Sequence, residues 1–219
     1  MPFKGALLDW GNTLFHDIER EEWVRIAAAS IGRDLPAAEC ARLARAISAT
    51  EHDPDVVAAQ HRYDASVDAH RAGGLFHFRK AGLDEALAMA VYEHDGSLEV
   101  TVPYPDTVPV LRRLKQVGVR IAIVSDINFD LRPFFERHGI DGCIDAYALS
   151  YQHGWVKPDA AAFQTALDLL GMQSQDVIMT GDNPQRDGGA AALGITTLIL
   201  PPVPKYTVRG LDLVLRFFD

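Results

Sequence analysis

Two kinds of hydrophobic pattern divide this chain. Ala6-Leu7-Leu8 is a short continuous apolar run, the mark of a strand buried on both faces, and predicts a strand over residues 3–9. From residue 17 to residue 98 no strand-like run occurs, and apolar residues instead recur at helical spacing. Glu21 to Ile31 places Trp23, Ile26, Ala27 and Ile31 on roughly one face. Pro36 to Thr50 reads as a second helix, with Pro36 near its first turn. Asp55 to Ala72 reads as a third, stopped by Gly73-Gly74, and Asp84 to Tyr92 as a fourth.

After Tyr104-Pro105-Asp106 the pattern becomes strand–helix repetition. Helices are predicted over Thr107–Gln116, Leu131–His138, Ala160–Leu170 and Asp187–Leu193, each followed by a glycine within two residues. Strands are predicted at Arg120–Val124, Asp145–Leu149, Val177–Thr180 and Thr196–Leu200. Such alternation implies a parallel sheet with right-handed crossovers. The expected fold class is therefore α/β. A core of residues 1–15 and 101–219 is interrupted by an all-helical insertion over 16–100, with linkers near 14–18 and 99–104.

Composition narrows the partners. The 219 residues are 48% apolar and carry a net charge of −9, which argues against nucleic acid or an anionic membrane. No stretch approaches the roughly 18 apolar residues of a membrane span, and Met1-Pro2-Phe3-Lys4-Gly5 has no signal-peptide pattern. Cys40 and Cys143 lie far apart and near no His cluster, so neither a zinc site nor a disulfide framework is expected. A soluble cytoplasmic protein is the expectation, and oligomeric state is left open.

The chemistry gathers at the strand ends. The first strand is followed by Asp9 and Thr13, the second by Ser125, Asp126 and Asn128, and the fourth by Gly181-Asp182-Asn183 and then Asp187. Lys157-Pro158-Asp159 stands at a helix start. In a parallel sheet these points converge on one edge. Asp9 and Asp182 together make a hard, oxygen-rich site suited to Mg²⁺. Ser125 and Lys157 offer donors and a fixed positive charge, which suits a phosphoryl group. A carboxylate beside both can attack phosphorus and form an aspartyl-phosphate. Each piece also has a plain structural reading: a helix cap, a solvated lysine, a turn.

In this order the four pieces resemble the motifs of the haloacid dehalogenase superfamily: Asp9…Thr13, Ser125, Lys157-Pro158 and Gly181-Asp182…Asp187. The resemblance covers nearly the whole chain and implies a Rossmann-like core with a helical cap inserted after the first motif. It also implies a hydrolase of small phosphorylated substrates, with Asp9 and Lys157 catalytic and Thr13, Ser125, Asp126 and Lys157 on the phosphate. Mg²⁺ would lie on Asp9, the Gly11 carbonyl, Asp182 and, as an outer ligand, Asp187.

Two positions depart from that pattern. Phosphatases of the superfamily have Asp-x-Asp-Gly-Thr as first motif, and its second Asp handles the protons; here Gly11 and Asn12 stand instead. Such acid–base help is commonly worth ~10²–10⁴ in rate. Asp126 stands where Asn usually follows the Ser or Thr. His16, Asp17, Arg20 and His61 are candidates for the missing proton donor, and Trp23, Tyr63, Phe76 and Phe78 for the walls of the cleft, although such aromatics more often belong to a core. Three readings stay open. One is a Mg²⁺-dependent phosphatase with reduced or rerouted proton transfer. Another is a different branch: a phosphonate hydrolase using Lys80 as its Schiff base, or a metal-free 2-haloacid dehalogenase. The third is a degenerate member that binds a phosphorylated ligand or a protein partner without turnover.

Overall fold

The computed structural model describes residues 3–218. The chain forms two compact units, Met1–His16 with Pro103–Asp219, and Asp17–Val102.

The first unit is built on a five-stranded sheet. Its strands are β1 (Gly5–Leu8), β4 (Arg120–Ser125), β5 (Ala146–Leu149), β6 (Val177–Gly181) and β7 (Thr196–Ile199), in the spatial order β5-β4-β1-β6-β7. Every neighbouring pair is parallel. This is the Rossmann-like α/β arrangement expected from the strand–helix alternation, with β1 at the centre. Leu7, Val124, Met179 and Ala148 pack one face of the sheet against Phe163, Ala166, Leu167 and Leu170 of the helix Ala160–Leu170. That helix ends at Gly171, whose φ of 63° is the left-handed turn that favours glycine. Register decides where the chemistry emerges. Leu8 lies beside Ile123 on one side and Thr180 on the other, so Asp9, Ser125 and Asp182 all leave the sheet at one edge.

The second unit is helical: Arg20–Ser30, Ala37–Thr50, Pro54–Ala59, Val67–Lys80 and Glu85–His94. Its core joins Trp23, Val24, Leu43, Ile47, Leu75, Phe78, Leu87 and Val91. Two of the residues proposed for the cleft thus belong to this core instead. Trp23 and Phe78 are buried and meet edge to face at 5.9 Å.

The predicted helix over Asp55–Ala72 is broken, and its predicted stop is wrong. The chain makes a short helix to Ala59, a 3₁₀ turn at Tyr63–Ala65, then a new helix capped by Ser66 that runs straight through Gly73-Gly74. The reason is close packing. A Cβ at Gly73 would stand 2.8 Å from the Ala59 carbonyl oxygen, and one at Gly74 would stand 2.9 Å from the Tyr92 ring. These glycines admit neighbours and do not end the helix.

Between the units run two short strands, β2 (Phe15–Asp17) and β3 (Thr101–Pro103), which pair with each other. Ile18 N–H donates to the Val100 carbonyl at 2.7 Å, and Thr101 Oγ1 donates to Asp17 Oδ1 at 2.9 Å. Asp17 is thereby held within the linker pair.

His70 is buried in the helical unit, stacked on Tyr63 at 4.4 Å and 3.3 Å from the Tyr92 hydroxyl. Burial pushes its pKa down from 6.5 to about 4. Between those values the unfolded chain binds the proton more tightly, so stability is present above pH 6.5 and is lost as pH falls towards 4. Urea unfolding of wild type and His70→Gln from pH 7 to pH 4.5 should show wild type losing on the order of 2 kcal/mol relative to the variant. A difference independent of pH would contradict the burial of a neutral imidazole.

Candidate active site

Asp9 is placed by its backbone: its N–H donates to the Thr180 carbonyl at 2.9 Å, one step past the end of β1. A tight turn follows, in which the Trp10 carbonyl accepts from Leu14 and Phe15 N–H at 2.9 and 3.0 Å. Asn12 in that turn has φ 53°, an uncommon conformation for a residue with a side chain. Trp10 anchors the turn in an aromatic cluster with Phe15, Phe129 and Phe134, at centroid distances of 5.3–5.8 Å.

The Asp9 carboxylate is buried and held at both oxygens. Lys157 Nζ donates to Oδ1 at 2.6 Å, and Thr13 Oγ1 donates to Oδ2 at 3.2 Å. Thr13, expected on the phosphate, is fully buried and bonds the candidate nucleophile instead. The same Lys157 ammonium donates to Asp187 Oδ1 at 2.6 Å, and Asp187 Oδ2 accepts Asn183 N–H at 2.9 Å. Asp187 is wholly buried, and it lies so close to Gly181 that a Cβ there would overlap its carboxyl group.

Carboxylate oxygens of Asp9, Asp182 and Asp187 lie within 4.8 Å of one another. Burial and the charges of Asp187 and Asp182 push the Asp9 pKa up to about 7, against the pull of Lys157. Asp182 is raised too, by burial and by Asp187. Burial alone would lower the Lys157 pKa, but Asp9, Asp187 and Asp126 outweigh it and hold the ammonium above its ordinary value. Three carboxylates therefore gather around one ammonium, with the Arg209 guanidinium also acting on Asp182. The donor set is hard and anionic, and it matches a small divalent ion, whose opposed oxygen ligands stand about 4 Å apart.

Asp126 is accounted for as well. Its Oδ1 accepts Lys157 N–H at 2.8 Å, and its Oδ2 faces Arg186 Nη1 at 3.4 Å. The carboxylate thus fixes the main chain that carries Lys157, which an amide oxygen could also do, and it recruits the guanidinium of Arg186. Burial raises its pKa and Lys157 opposes that.

A cavity of about 210 Å³ opens over this group. Asp9, Gly11, Ser125, Asp126, Lys157, Asp182 and Asp187 line it, so seven of the eight predicted site residues meet there and Thr13 stands behind. Arg186 and Asn183 also line it; sequence reasoning passed over Arg186 and placed Asn183 at the strand end only as part of a turn. Asn183-Pro184 reads as a turn, and Asn183 Oδ1 does accept Gln185 and Arg186 N–H at 3.0 Å. That turn is what brings Arg186 to the cavity.

Three of the proposed substitutes for the missing acid, Asp17, His16 and Arg20, have other partners. His16 is buried between Tyr104 and Tyr206, with centroids at 4.6 and 4.9 Å, and is not on the cavity wall. Arg20 pairs with Glu51 and donates to Ser48 at 2.6 Å. Lys80 pairs with Asp53 and Asp55, which raise its pKa, the opposite of what a Schiff-base lysine needs. At Gly11 itself, an added Cβ would meet nothing within 4 Å.

Among the described residues no helix is long and apolar enough to cross a membrane. Comparison with known proteins gives a consistent picture. A glyceraldehyde 3-phosphate phosphatase of Methanopyrus kandleri is 29% identical over 115 residues, covering 52% of this chain and 49% of that protein. The chain spans about half the length of the curated relatives it matches. Among solved structures, a HAD phosphatase from Thermococcus onnurineus aligns over 99% of this chain and 98% of its own, at TM-score 0.61 and 20% identity. A dehalogenase aligns over 98% and 96%, at TM-score 0.69 and also 20% identity. At that identity these two report the fold alone. The family model for haloacid dehalogenase-like hydrolases matches residues 3–194. With most of its length matched by that model, the chain belongs to the haloacid dehalogenase-like hydrolase family.

Proposed function

We propose that this protein is a Mg²⁺-dependent phosphatase of small phosphate esters, acting by phosphoryl transfer to Asp9. The observation that carries the reading is the set of three carboxylates, Asp9, Asp182 and Asp187, around the single ammonium of Lys157. That excess negative charge would repel a phosphate dianion. It calls for a further cation, which a metal-free dehalogenase would not use. Asp9, Asp182, Asp187 and the Gly11 carbonyl would hold Mg²⁺, and the ion would supply positive charge against the developing charge of the phosphoryl group.

The chain's own residues do the rest. The Asp9 carboxylate attacks phosphorus, the P–O ester bond breaks, and the leaving oxygen departs with the bonding pair. Thr13 and Lys157 hold Asp9 for that attack. Ser125 and Lys157 line the space for the phosphoryl oxygens, and Arg186 adds a cation at the rim. Water then displaces Asp9 from phosphorus and releases inorganic phosphate. Gly11 brings no side chain to donate the first proton or accept the second. A good leaving group needs little of the first, so aryl phosphates should turn over where alkyl phosphates scarcely do. The second step is slow for either.

Calorimetric titration checks the metal. Wild type should bind Mg²⁺, and Asp182→Asn should weaken binding at least tenfold, in line with loss of a carboxylate from a small hard site. Equal binding in the two proteins would remove Asp182 from the ligand set.

The proton deficit gives a second expectation. Because a Cβ at residue 11 meets no neighbour, Gly11→Asp should fit and raise Mg²⁺-dependent hydrolysis, by about tenfold for aryl phosphates and more for alkyl phosphates. A lower rate in the variant would show that the proton is carried otherwise. Phosphate binding with no turnover of any ester would favour a binding protein over an enzyme.

A further inference from the structure

After β7, residues 201–210 form neither helix nor strand, and Arg209 is the one fully buried residue among them, at 2% exposure. A guanidinium taken out of water is costly unless every donor is satisfied. Among the described residues Arg209 forms no ion pair. Its nitrogens go to main-chain carbonyls instead: Nε to Asn12 at 2.6 Å, Nη1 to Pro201 at 2.5 Å and Nη2 to Leu200 at 3.1 Å. The guanidinium carbon lies 5.7 Å from the centre of the Tyr104 ring. Asp106 holds the backbone of the segment in place, accepting Arg209 N–H and Leu211 N–H at 2.8 Å each.

These bonds join two parts of the site. Asn12 belongs to the turn that follows Asp9, and its φ of 53° must be held by its surroundings. Leu200 N–H donates to the Gly181 carbonyl at 2.9 Å, next to Asp182. One guanidinium thus connects the nucleophile's turn to the strand pair that presents Asp182.

We propose that Arg209 is a positioning residue of the active site: it fixes the Trp10–Thr13 turn relative to Asp182, and so sets the geometry in which Asp9, the Gly11 carbonyl and Asp182 work together. The proposal rests on the reading of Asp9 as a phosphoryl acceptor. The chemical reason for arginine is its planar fork, which reaches three carbonyls at once; a lysine keeps the charge and reaches fewer.

Two variants test it, Arg209→Met and the milder Arg209→Lys, which retains charge if the first does not fold. Three readings are taken below the melting temperature: amide hydrogen exchange of the metal-free protein, calorimetric titration with Mg²⁺, and turnover of an aryl phosphate. Exchange at Asn12 and Leu14 should quicken about tenfold or more while amides of the helix Ala160–Leu170 stay unchanged. Mg²⁺ affinity should fall several-fold, and kcat about tenfold with KM little altered. Arg209→Lys should fall in the same direction as Arg209→Met. A lower melting temperature alone, with exchange at residues 12 and 14 and Mg²⁺ affinity both unchanged, would overturn the proposal. If wild type lacks turnover the phosphatase reading falls, yet the exchange and Mg²⁺ readings still decide the role of Arg209.

Discussion

A single buried ammonium stands between two carboxylates at the edge of the sheet, and the arrangement around it follows from that charge. Lys157 Nζ lies 2.6 Å from both Asp9 and Asp187, with all three side chains nearly or wholly buried. Burying one cation with two anions is tolerable only if the remaining lone pairs find donors. Thr13 supplies one to Asp9 and Asn183 N–H one to Asp187. Removing Lys157 would strand two buried carboxylates, a change that typically costs about 3–5 kcal/mol. Lys157 therefore belongs to folding as much as to the proposed phosphate site, and a loss of activity in its variants would not by itself assign it a catalytic role.

The neighbouring residues make sense as ways of holding that ammonium. Asp126 fixes its main chain, and Gly181 leaves the room that Asp187 occupies. What the ammonium cannot do is balance Asp182 as well. The residual negative charge is the physical reason to expect a divalent cation, and it separates a phosphatase reading from a metal-free one. Gly11 is the weak point of the same arrangement: its neighbourhood has space for a side chain and the sequence places none there.

Much of this was legible in the sequence because it is local. A buried apolar run followed by a polar residue marks a strand end, and parallel strands bring their ends to one edge; Asp9, Ser125 and Asp182 follow from that alone. Helix spacing marked the insertion, although Gly73-Gly74 misled: glycine's lack of a side chain served close approach to Ala59 and Tyr92, and a sequence cannot distinguish that from a stop. Trp23 and Phe78 stayed ambiguous between core and cleft for a related reason, since an aromatic at helical spacing reads the same in a core as on a wall, and both lie in the core. Thr13 was assigned to phosphate when its hydroxyl bonds the carboxylate four residues before it. Arg209 left no signal at all. Its partners are carbonyls of residues 12, 200 and 201, and carbonyl acceptors carry no side-chain identity.

The central claim is that Asp9 accepts the phosphoryl group. It is tested most directly by mixing the Mg²⁺-loaded protein with an aryl phosphate, quenching within the first turnover and reducing with borohydride, which converts an acyl phosphate to the alcohol. Peptide mass spectrometry then locates the change. The account predicts homoserine at position 9, and in good yield, since the slow second step lets the intermediate accumulate. An unmodified Asp9 in a sample that has released its aryl alcohol, or reduction at a different carboxylate, would contradict it.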